Sequence, residues 1–96
     1  MIIYTHGDCL KKLNGNGHPE RKERLESILN SIKSSSLKVD FREAPLADLK
    51  TVSLVHPKKH IEKIFSSIPN EGIIGVEKEP YADTMLCPDS KNAILR

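Results

Sequence analysis

The amino-acid sequence predicts an α/β domain in which a short parallel sheet is flanked by amphipathic helices. Three segments lead to this prediction. A β-branched segment at residues 1–5 is followed, after a loop, by a helix-type repeat of apolar residues at 25–32. A segment in which apolar and charged residues alternate comes next, at 37–42. A strand, a helix and a strand within about forty residues fit a right-handed βαβ unit with a parallel strand pair.

The composition sets limits on the size and partners of the protein. The 96 residues make one domain at most, and 38% hydrophobic with 29% charged residues is typical of a globular chain. A net charge of +2 and an aromatic content of 4% argue against a nucleic-acid partner. No apolar run is long enough to cross a membrane, and no signal peptide is recognisable. Cys9 and Cys87 are not arranged as a Cys-x-x-Cys pair, so we expect a reduced, cytoplasmic protein.

The first element is a strand at Met1–Thr5, which we expect to be buried because it is short, apolar and β-branched. Residues 6–18 are predicted as a loop, since they contain three glycines and two asparagines. Within this loop, Gly15-Asn16-Gly17 lies just before a helix, where backbone N–H groups can hold an anion. The glycine spacing is not that of a dinucleotide-binding or P-loop motif.

The next element is a helix predicted at Pro19–Lys33. Proline fits the first helical position, where its missing N–H is no loss, and Gly17 allows the tight entry before it. The apolar residues then recur at i, i+3, i+4 and i+7 and form one face: Leu25, Ile28, Leu29 and Ile32. Arg21 and Arg24 lie on this face or at its border, where a guanidinium usually needs an acidic group or a ligand nearby.

A second strand and two further helices follow. The alternation at 37–42 predicts a strand with one covered face, formed by Leu37, Val39 and Phe41. A short helix is predicted at Ala47–Val55, capped by Asp48 or its neighbour, with these residues turned inward: Leu49, Val52 and Val55. His56-Pro57 begins another helix, which ends at Pro69-Asn70 and has this apolar face: Ile61, Ile64, Phe65 and Ile68.

The remaining residues are predicted to be mostly irregular. Residues 70–75 form a turn with a brief apolar piece, and 77–87 form an extended loop. Asp89 and Ser90 resemble an N-cap for a last helix that runs to Leu95. A capped helix of little more than one turn is marginal by itself because helix nucleation is costly. We therefore expect residues 1–96 to be a single incomplete domain, the front part of a larger α/β domain.

The histidines and cysteines do not have the spacing of a metal site. Four candidate ligands share the first loop: His6, Asp8, Cys9 and His18. Asp8 and Cys9 are adjacent, however, which makes joint binding of one tetrahedral zinc ion awkward. Cys9 near a histidine is a possible nucleophile with its base, although a packed small residue is the simpler interpretation. His56 and His60 are four residues apart, but His56 is expected at the helix cap, so we expect no shared metal there.

The arginines and Asp83 each have two interpretations. Arg21 and Arg24 either form ion pairs with carboxylates of the same helix or a neighbour, or bind a carboxylate in a pocket through the guanidinium fork. The ion pairs are the expected outcome, because most charged helix residues are solvated or paired. Asp83 either forms an Asx turn or contacts a ligand at the rim of a site.

Several short motifs resemble the opening of histone-deacetylase-like amidohydrolases, a family that includes bacterial acetoin-utilisation proteins and acetylpolyamine amidohydrolases. The resemblance covers nearly all the chain, and its motifs are Tyr4-Thr5-His6, Cys9-Leu10, Gly17-His18-Pro19-Glu20-Arg21, Glu23-Arg24-Leu25, Val55-His56-Pro57, Ile61, Asp83-Thr84 and Cys87-Pro88. The sequence departs from the family pattern at a few positions: Lys12-Leu13 replaces a frequent His-Asp, Lys22 a proline and His60 a tyrosine.

The resemblance implies an arginase/deacetylase fold, in which a parallel sheet lies between two layers of helices. It also implies zinc-dependent hydrolysis of an acetyl-amide such as an acetyl-lysine or an acetylpolyamine, with the metal polarising the carbonyl and activating water. By the same matching, Arg24 corresponds to the arginine of the inner acetate-release channel and Asp83 to the rim aspartate that holds the substrate backbone. His18 closes the first rim loop, which begins at His6.

The family's paired histidines, its zinc ligands and its transition-state tyrosine all lie beyond the position of Arg96. We therefore expect no catalytic residue, metal ligand or cofactor within this chain, and an acetylated amine as substrate only if the rest of the domain is present. The missing part of the sheet should leave apolar surface exposed, which predicts a homo-oligomer. Two alternatives remain: a small self-associating interaction module, and an anion or small-molecule binder that uses Arg21, Arg24 and the glycine loop.

Overall fold

A computed structural model describes residues 1–76 and 82–96. The chain mixes helices and strands and contains a small parallel sheet, as the α/β class requires. The elements are β1 (Ile2–Thr5), a 3₁₀ turn (Gly7–Leu10), α1 (Lys22–Ser34), β2 (Asp40–Glu43), α2 (Leu49–Val52), α3 (Lys58–Ser66), β3 (Ile74–Gly75), β4 (Met85–Leu86) and α4 (Ser90–Leu95). No helix in these two ranges is long and apolar enough to cross a membrane.

The parallel strand pair predicted for the first half of the chain is confirmed. β1 pairs with β2 in parallel, with Ile2 opposite Asp40 and Thr5 opposite Glu43. The predicted burial of β1 is wrong, because 50% of Ile2 and 58% of Tyr4 are exposed. Within the described residues this sheet has only two strands, so the side chains on one of its faces are left in solvent.

The second strand also begins later than predicted, at Asp40 instead of Leu37. Ser35 explains the delay, because its hydroxyl donates to the carbonyl of Ile32 and accepts the N–H of Leu37. These bonds extend the turn that follows α1. Leu37 and Phe41 are therefore exposed rather than covered, although the ammonium of Lys33 lies 5.8 Å from the centre of the Phe41 ring.

The helix predicted at Pro19 begins three residues later, at Lys22. The imidazole Nδ1 of His18 accepts the N–H of Glu20 at 3.0 Å, and the amide of Asn14 donates to the carbonyl of Glu20 at 2.8 Å. These bonds hold residues 18–21 in a turn that precedes the helix. Arg21 is extended, with φ −141°, and is the N-cap residue. It therefore precedes the apolar face of α1 instead of lying on it.

The helices in the middle of the chain follow the predicted order but are shorter. Asp48 caps α2 as expected, since its carboxylate accepts the N–H of Thr51 at 2.6 Å, and this bond lowers the pKa of Asp48. The inward placement of Leu49 and Val55 is wrong. Because α2 ends at Val52, Val55 lies in the following turn and is 78% exposed.

The third helix, α3, begins after Pro57 as predicted and buries Ile61 on its apolar face. The second half of the chain also contains a hairpin that the sequence pattern did not predict. β3 pairs with β4 in antiparallel fashion, with Ile74 opposite Leu86 and Gly75 opposite Met85. The predicted extended loop at 77–87 is therefore wrong at Met85–Leu86, and its first part, 77–81, lies outside the described residues.

The last helix, α4, is confirmed, and with the hairpin it forms much of the core. Among the described residues, the buried apolar side chains are Ala44, Ile61, Leu86, Cys87 and Leu95. The predicted cap differs in detail: Asp89 occupies the N-cap position without a side-chain bond, and the hydroxyl of Ser90 instead accepts the N–H of Cys87 at 2.8 Å. This bond ties the start of α4 to the end of β4.

Candidate functional site

The turn before α1 depends on two glycines with positive φ angles. Gly15 has φ +94° and Gly17 has φ +76°, a region of the backbone map that side chains rarely tolerate. The turn is closed by a bond from the N–H of His18 to the carbonyl of Gly15 at 3.4 Å. The sequence prediction of a glycine-dependent tight turn is thus confirmed, and the turn positions the imidazole of His18.

His18 joins this turn to the loop that carries Asp83. In the neutral tautomer with its proton on Nε2, Nδ1 accepts the N–H of Glu20 at 3.0 Å and Nε2 donates to the backbone carbonyl of Asp83 at 2.9 Å. The imidazole is mostly buried, whereas the carboxylate of Asp83 is fully exposed and lies 3.7 Å from Nε2. The backbone of Asp83 is therefore anchored while its carboxylate faces solvent, as a ligand contact at a rim would require.

Glu20 also lines an open groove of about 300 Å³. Its lining contains four cationic side chains, one carboxylate and a thiol; the residues are Cys9, Lys12, Asn14, Glu20, Arg21, Lys22, Arg24, Leu25 and Ile28. We refer to it as the arginine groove. The glycine loop lies beside it, because a neighbouring groove is lined by Gly15, Asn16 and Gly17 together with Arg21 and Lys22.

The ion pairs expected for Arg21 and Arg24 are not formed with any of the residues that the structure describes. The guanidinium groups of Arg21 and Arg24 therefore line one groove and have no carboxylate partner among residues 1–76 and 82–96. Arg21 is the N-cap residue and lies before the first turn of α1. An unpaired arginine fork in a cationic groove can bind a carboxylate or a phosphate.

Asn14 is a component of the site that sequence reasoning considered only as a loop breaker. It is buried, and its side chain accepts a bond from the ammonium of Lys12 and donates to the carbonyl of Glu20. It thereby connects the wall of the arginine groove to the turn that holds His18. The sequence gives little indication of this role, because asparagine is common in loops that have no such function.

The residues of the first loop that resembled metal ligands do not gather around one point, because His18 is directed away from His6 and Asp8. His6 lies against Asp8 and Glu43, at 3.1 Å from each carboxylate, whereas His18 binds the Asp83 loop. Among residues 1–76 and 82–96, no group of three or more His, Cys, Asp and Glu side chains could hold a metal ion. The described residues therefore do not fit the zinc ion that the family resemblance implies.

Asp8 serves a structural role instead. Its carboxylate accepts bonds from the ammonium of Lys11 and from Nε of Arg96, each at 3.1 Å. These two bonds, together with the positive neighbours, hold the pKa of Asp8 below its ordinary value of 3.8, although burial acts in the opposite direction. Arg96 also donates to the carbonyl of Ala44 at 2.8 Å. One guanidinium thus joins the 3₁₀ turn, the end of β2 and the end of α4.

The cysteines and the remaining histidines occupy different surroundings. Cys9 and Cys87 are both free thiols. The imidazoles of His6 and His18 are bonded to other residues, so the geometry gives no support to a nucleophile and base formed with Cys9. His56 precedes α3 as expected, and its ring stacks on that of His60 with 5.8 Å between the ring centres.

No protein-family model matches this chain, and none of the curated proteins matches it either. The site is therefore interpreted from its own geometry and from the motifs in the sequence.

Proposed function

We propose that this chain is the N-terminal part of a histone-deacetylase-like amidohydrolase domain. In this proposal it supplies the rim and the product side of the site, and the finer fold class is the arginase/deacetylase fold. The observation that carries the proposal is the bond between His18 and Asp83. It joins two segments that are 65 residues apart, and both belong to motifs on which the resemblance rests.

The arginine groove supports the same interpretation. Arg24, which matches the arginine of the family's acetate channel, lines the groove and has no ion pair among the described residues. A small carboxylate product would find four cationic side chains there, and Glu20 connects the groove to the turn of His18. Asp83 presents its carboxylate to solvent beside His18, where it could accept the backbone N–H groups of a substrate.

The proposal places no catalytic step on this chain alone. The described residues do not gather a metal site, so in this proposal the zinc ligands and the proton-transferring histidines belong to the part of the domain that follows Arg96. We propose that residues 1–96 alone are inactive and that acetylated amines are bound only by the completed domain. A cytoplasmic location belongs to the same proposal, and the two free thiols are consistent with it.

A split-enzyme experiment tests the proposal. Residues 1–96 are co-expressed with the C-terminal part of a histone-deacetylase-like enzyme. That part begins at the position of the enzyme that corresponds to the residue after α4. Acetate release is then measured on an acetyl-lysine peptide and an acetylated polyamine. We expect activity only from the two parts together, with a loss of about tenfold or more for Arg24→Ala, because a bidentate carboxylate contact is removed. Arg42→Ala is the matched control, since Arg42 is an exposed arginine paired with Asp40 on β2.

Two results would count against the proposal. One is zinc-dependent hydrolysis by residues 1–96 alone. The other is a failure of the two parts to associate although each is soluble. Sequencing of the transcript past the codon of Arg96 provides an independent check, because the proposal expects paired histidines and an Asp-x-His motif to follow in one of the reading frames.

A second candidate function is the binding of a small anion by the chain itself. The guanidinium groups of Arg21 and Arg24 favour it specifically, since both line one groove and neither has an ion pair with a described residue. Titration with acetate and with inorganic phosphate, followed by the NMR shifts of the arginine side chains, tests this function. Binding that is lost in Arg24→Ala and retained in Arg42→Ala supports it, and no shift at millimolar ligand rejects it.

A third candidate is self-association, which we propose on the basis of the exposed sheet. Ile2 and Tyr4 are exposed on β1, next to the exposed Met1. A two-stranded sheet with an apolar face is a surface that another chain can cover. The partner in this proposal is a second copy, so the chain would be a homo-oligomer.

A further inference from the structure

A second cavity, of about 290 Å³, lies between α2, α3, α4 and the β3–β4 hairpin. Its walls are mainly aliphatic and aromatic, formed by Val52, Ile61, Ile64, Phe65, Leu86 and Ile94. Ile61 and Leu86 also belong to the buried core, so the cavity reaches down to the core. Its volume is at the lower end of the range for ligand pockets, about 300 Å³ and above, so it would suit a small ligand.

The remaining polar part of the cavity consists mostly of nitrogen-bearing side chains. Lys12, His56 and His60 contribute to the lining, and both histidines are exposed, so they stand at the mouth. Neither imidazole makes a hydrogen bond with a residue in the described ranges. The two rings stack on each other. The ammonium of Lys12 donates to the side chain of Asn14. The described lining contains no carboxylate.

We propose that this cavity binds a small monocarboxylic acid with an unbranched alkyl tail. The apolar walls would cover the tail, and the carboxylate would accept hydrogen bonds at the mouth from His56, His60 and Lys12. Charge complementarity selects this class of ligand, because the described part of the lining offers cationic or neutral donors without a competing carboxylate. A purely polar anion would leave the apolar walls in water, and a neutral alkane would not use the hydrogen-bond donors at the mouth.

Calorimetric titration of residues 1–96 tests this proposal. The probes are butanoate, hexanoate and octanoate below its micelle concentration, and 1-octanol supplies the same tail without the charge. We expect the affinity to rise roughly fourfold for each added methylene, as burial of one CH₂ predicts. We expect octanoate to bind about tenfold more tightly than 1-octanol, the usual gain from a hydrogen bond to a charged group.

Variants identify the groups responsible. The double variant His56→Ala, His60→Ala should weaken octanoate binding about tenfold and leave 1-octanol binding unchanged. Both histidines are exposed, so the fold should be retained, which the urea midpoint verifies. Lys59→Ala is the matched control, because Lys59 lies on α3 outside the cavity lining. Arg24→Ala distinguishes binding in this cavity from binding in the arginine groove. It should leave octanoate binding intact, because Arg24 lines the groove and not this cavity.

The proposal is overturned if none of the acids binds, if affinity does not depend on chain length, or if octanoate and 1-octanol bind equally. It is also overturned if Arg24→Ala abolishes octanoate binding, since the acid would then occupy the arginine groove.

Discussion

Nε of Arg96 lies 3.1 Å from the carboxylate of Asp8, across 88 positions of sequence. Both side chains are largely shielded, with 17% and 11% of their surface exposed. The same guanidinium donates to the carbonyl of Ala44, so this contact fastens three segments that belong to different parts of the chain. It is the most remote side-chain bond described in the structure.

Removal of this guanidinium should destabilise the fold. Arg96→Ala removes the side-chain donor of the Ala44 carbonyl and one of the two cationic donors to Asp8, whose carboxylate keeps its bond to Lys11. We expect a loss of about 1–3 kcal/mol in the free energy of unfolding. Arg24→Ala is the control, because Arg24 has no ion pair in the described structure and should change stability by less than about 0.5 kcal/mol. Urea unfolding followed by circular dichroism measures both. Equal effects of the two variants would show that the Arg96 contact does not stabilise the chain.

The pH dependence of stability should reflect Asp8. Its pKa in the folded state is below 3.8, the ordinary value expected in the unfolded state. The folded state therefore binds fewer protons, and the stabilisation is present above about pH 4 and is lost as the pH falls through the folded pKa. Asp8→Asn should lower stability at neutral pH and reduce the acid slope. Asp40→Asn, at an exposed pair on β2, is the control. An unchanged acid slope in Asp8→Asn would contradict this assignment.

The turn before α1 should depend on the conformation of Gly17. Gly17→Ala imposes a side chain at φ +76°, and although there is space for the added methyl group, the left-handed backbone costs about 1–2 kcal/mol. Gly7→Ala is the matched control, because Gly7 has equal space and no positive φ. The His18 imidazole NMR signals should shift in Gly17→Ala alone. If the two variants have the same stability, the turn tolerates residues other than glycine.

Self-association should depend on the exposed face of the parallel sheet. In the double variant Ile2→Lys, Tyr4→Lys we expect charge on this face to convert oligomers into monomers, because apposed ammonium groups repel each other and apolar burial is lost. Leu54→Lys is the control, since Leu54 is also exposed but lies in the turn after α2, away from the parallel sheet. Sedimentation velocity over a range of concentrations gives the measurement. A wild-type chain that is monomeric at every concentration would reject the prediction.

The elements with a long apolar repeat could be predicted from the sequence, and their ends could not. The repeats of α1 and α3, the parallel pair and the short final helix all depend on local patterns. The start of α1 was wrong because the N–H of Glu20 donates to the His18 imidazole, and this bond overrides the preference of Pro19 for the first helical position. The β3–β4 hairpin was missed because each strand has two residues, too few for an alternating pattern.

Single residues of the candidate site could be predicted from the sequence, but the contacts between them could not. His18, Arg24 and Asp83 were identified one by one from motifs. The bond between His18 and Asp83 depends on how distant segments pack, which no local pattern records. The sequence also favoured ion pairs for Arg21 and Arg24, because most charged helix residues are solvated or paired. Asn14, the buried link of the site, was missed because no local pattern records its bonds to Lys12 and Glu20.

The two thiols differ in accessibility, so their labelling rates can be used to measure local opening of the fold. Cys9 is partly accessible, whereas Cys87 is buried and its sulfur accepts the N–H of Leu13 at 3.3 Å and the hydroxyl of Ser90 at 3.6 Å. A thiol reagent can therefore modify Cys9 in the folded chain but reaches Cys87 only after the segment between β4 and α4 has separated from the first loop. The ratio of the two labelling rates is a direct measure of how often the two ends of the chain come apart.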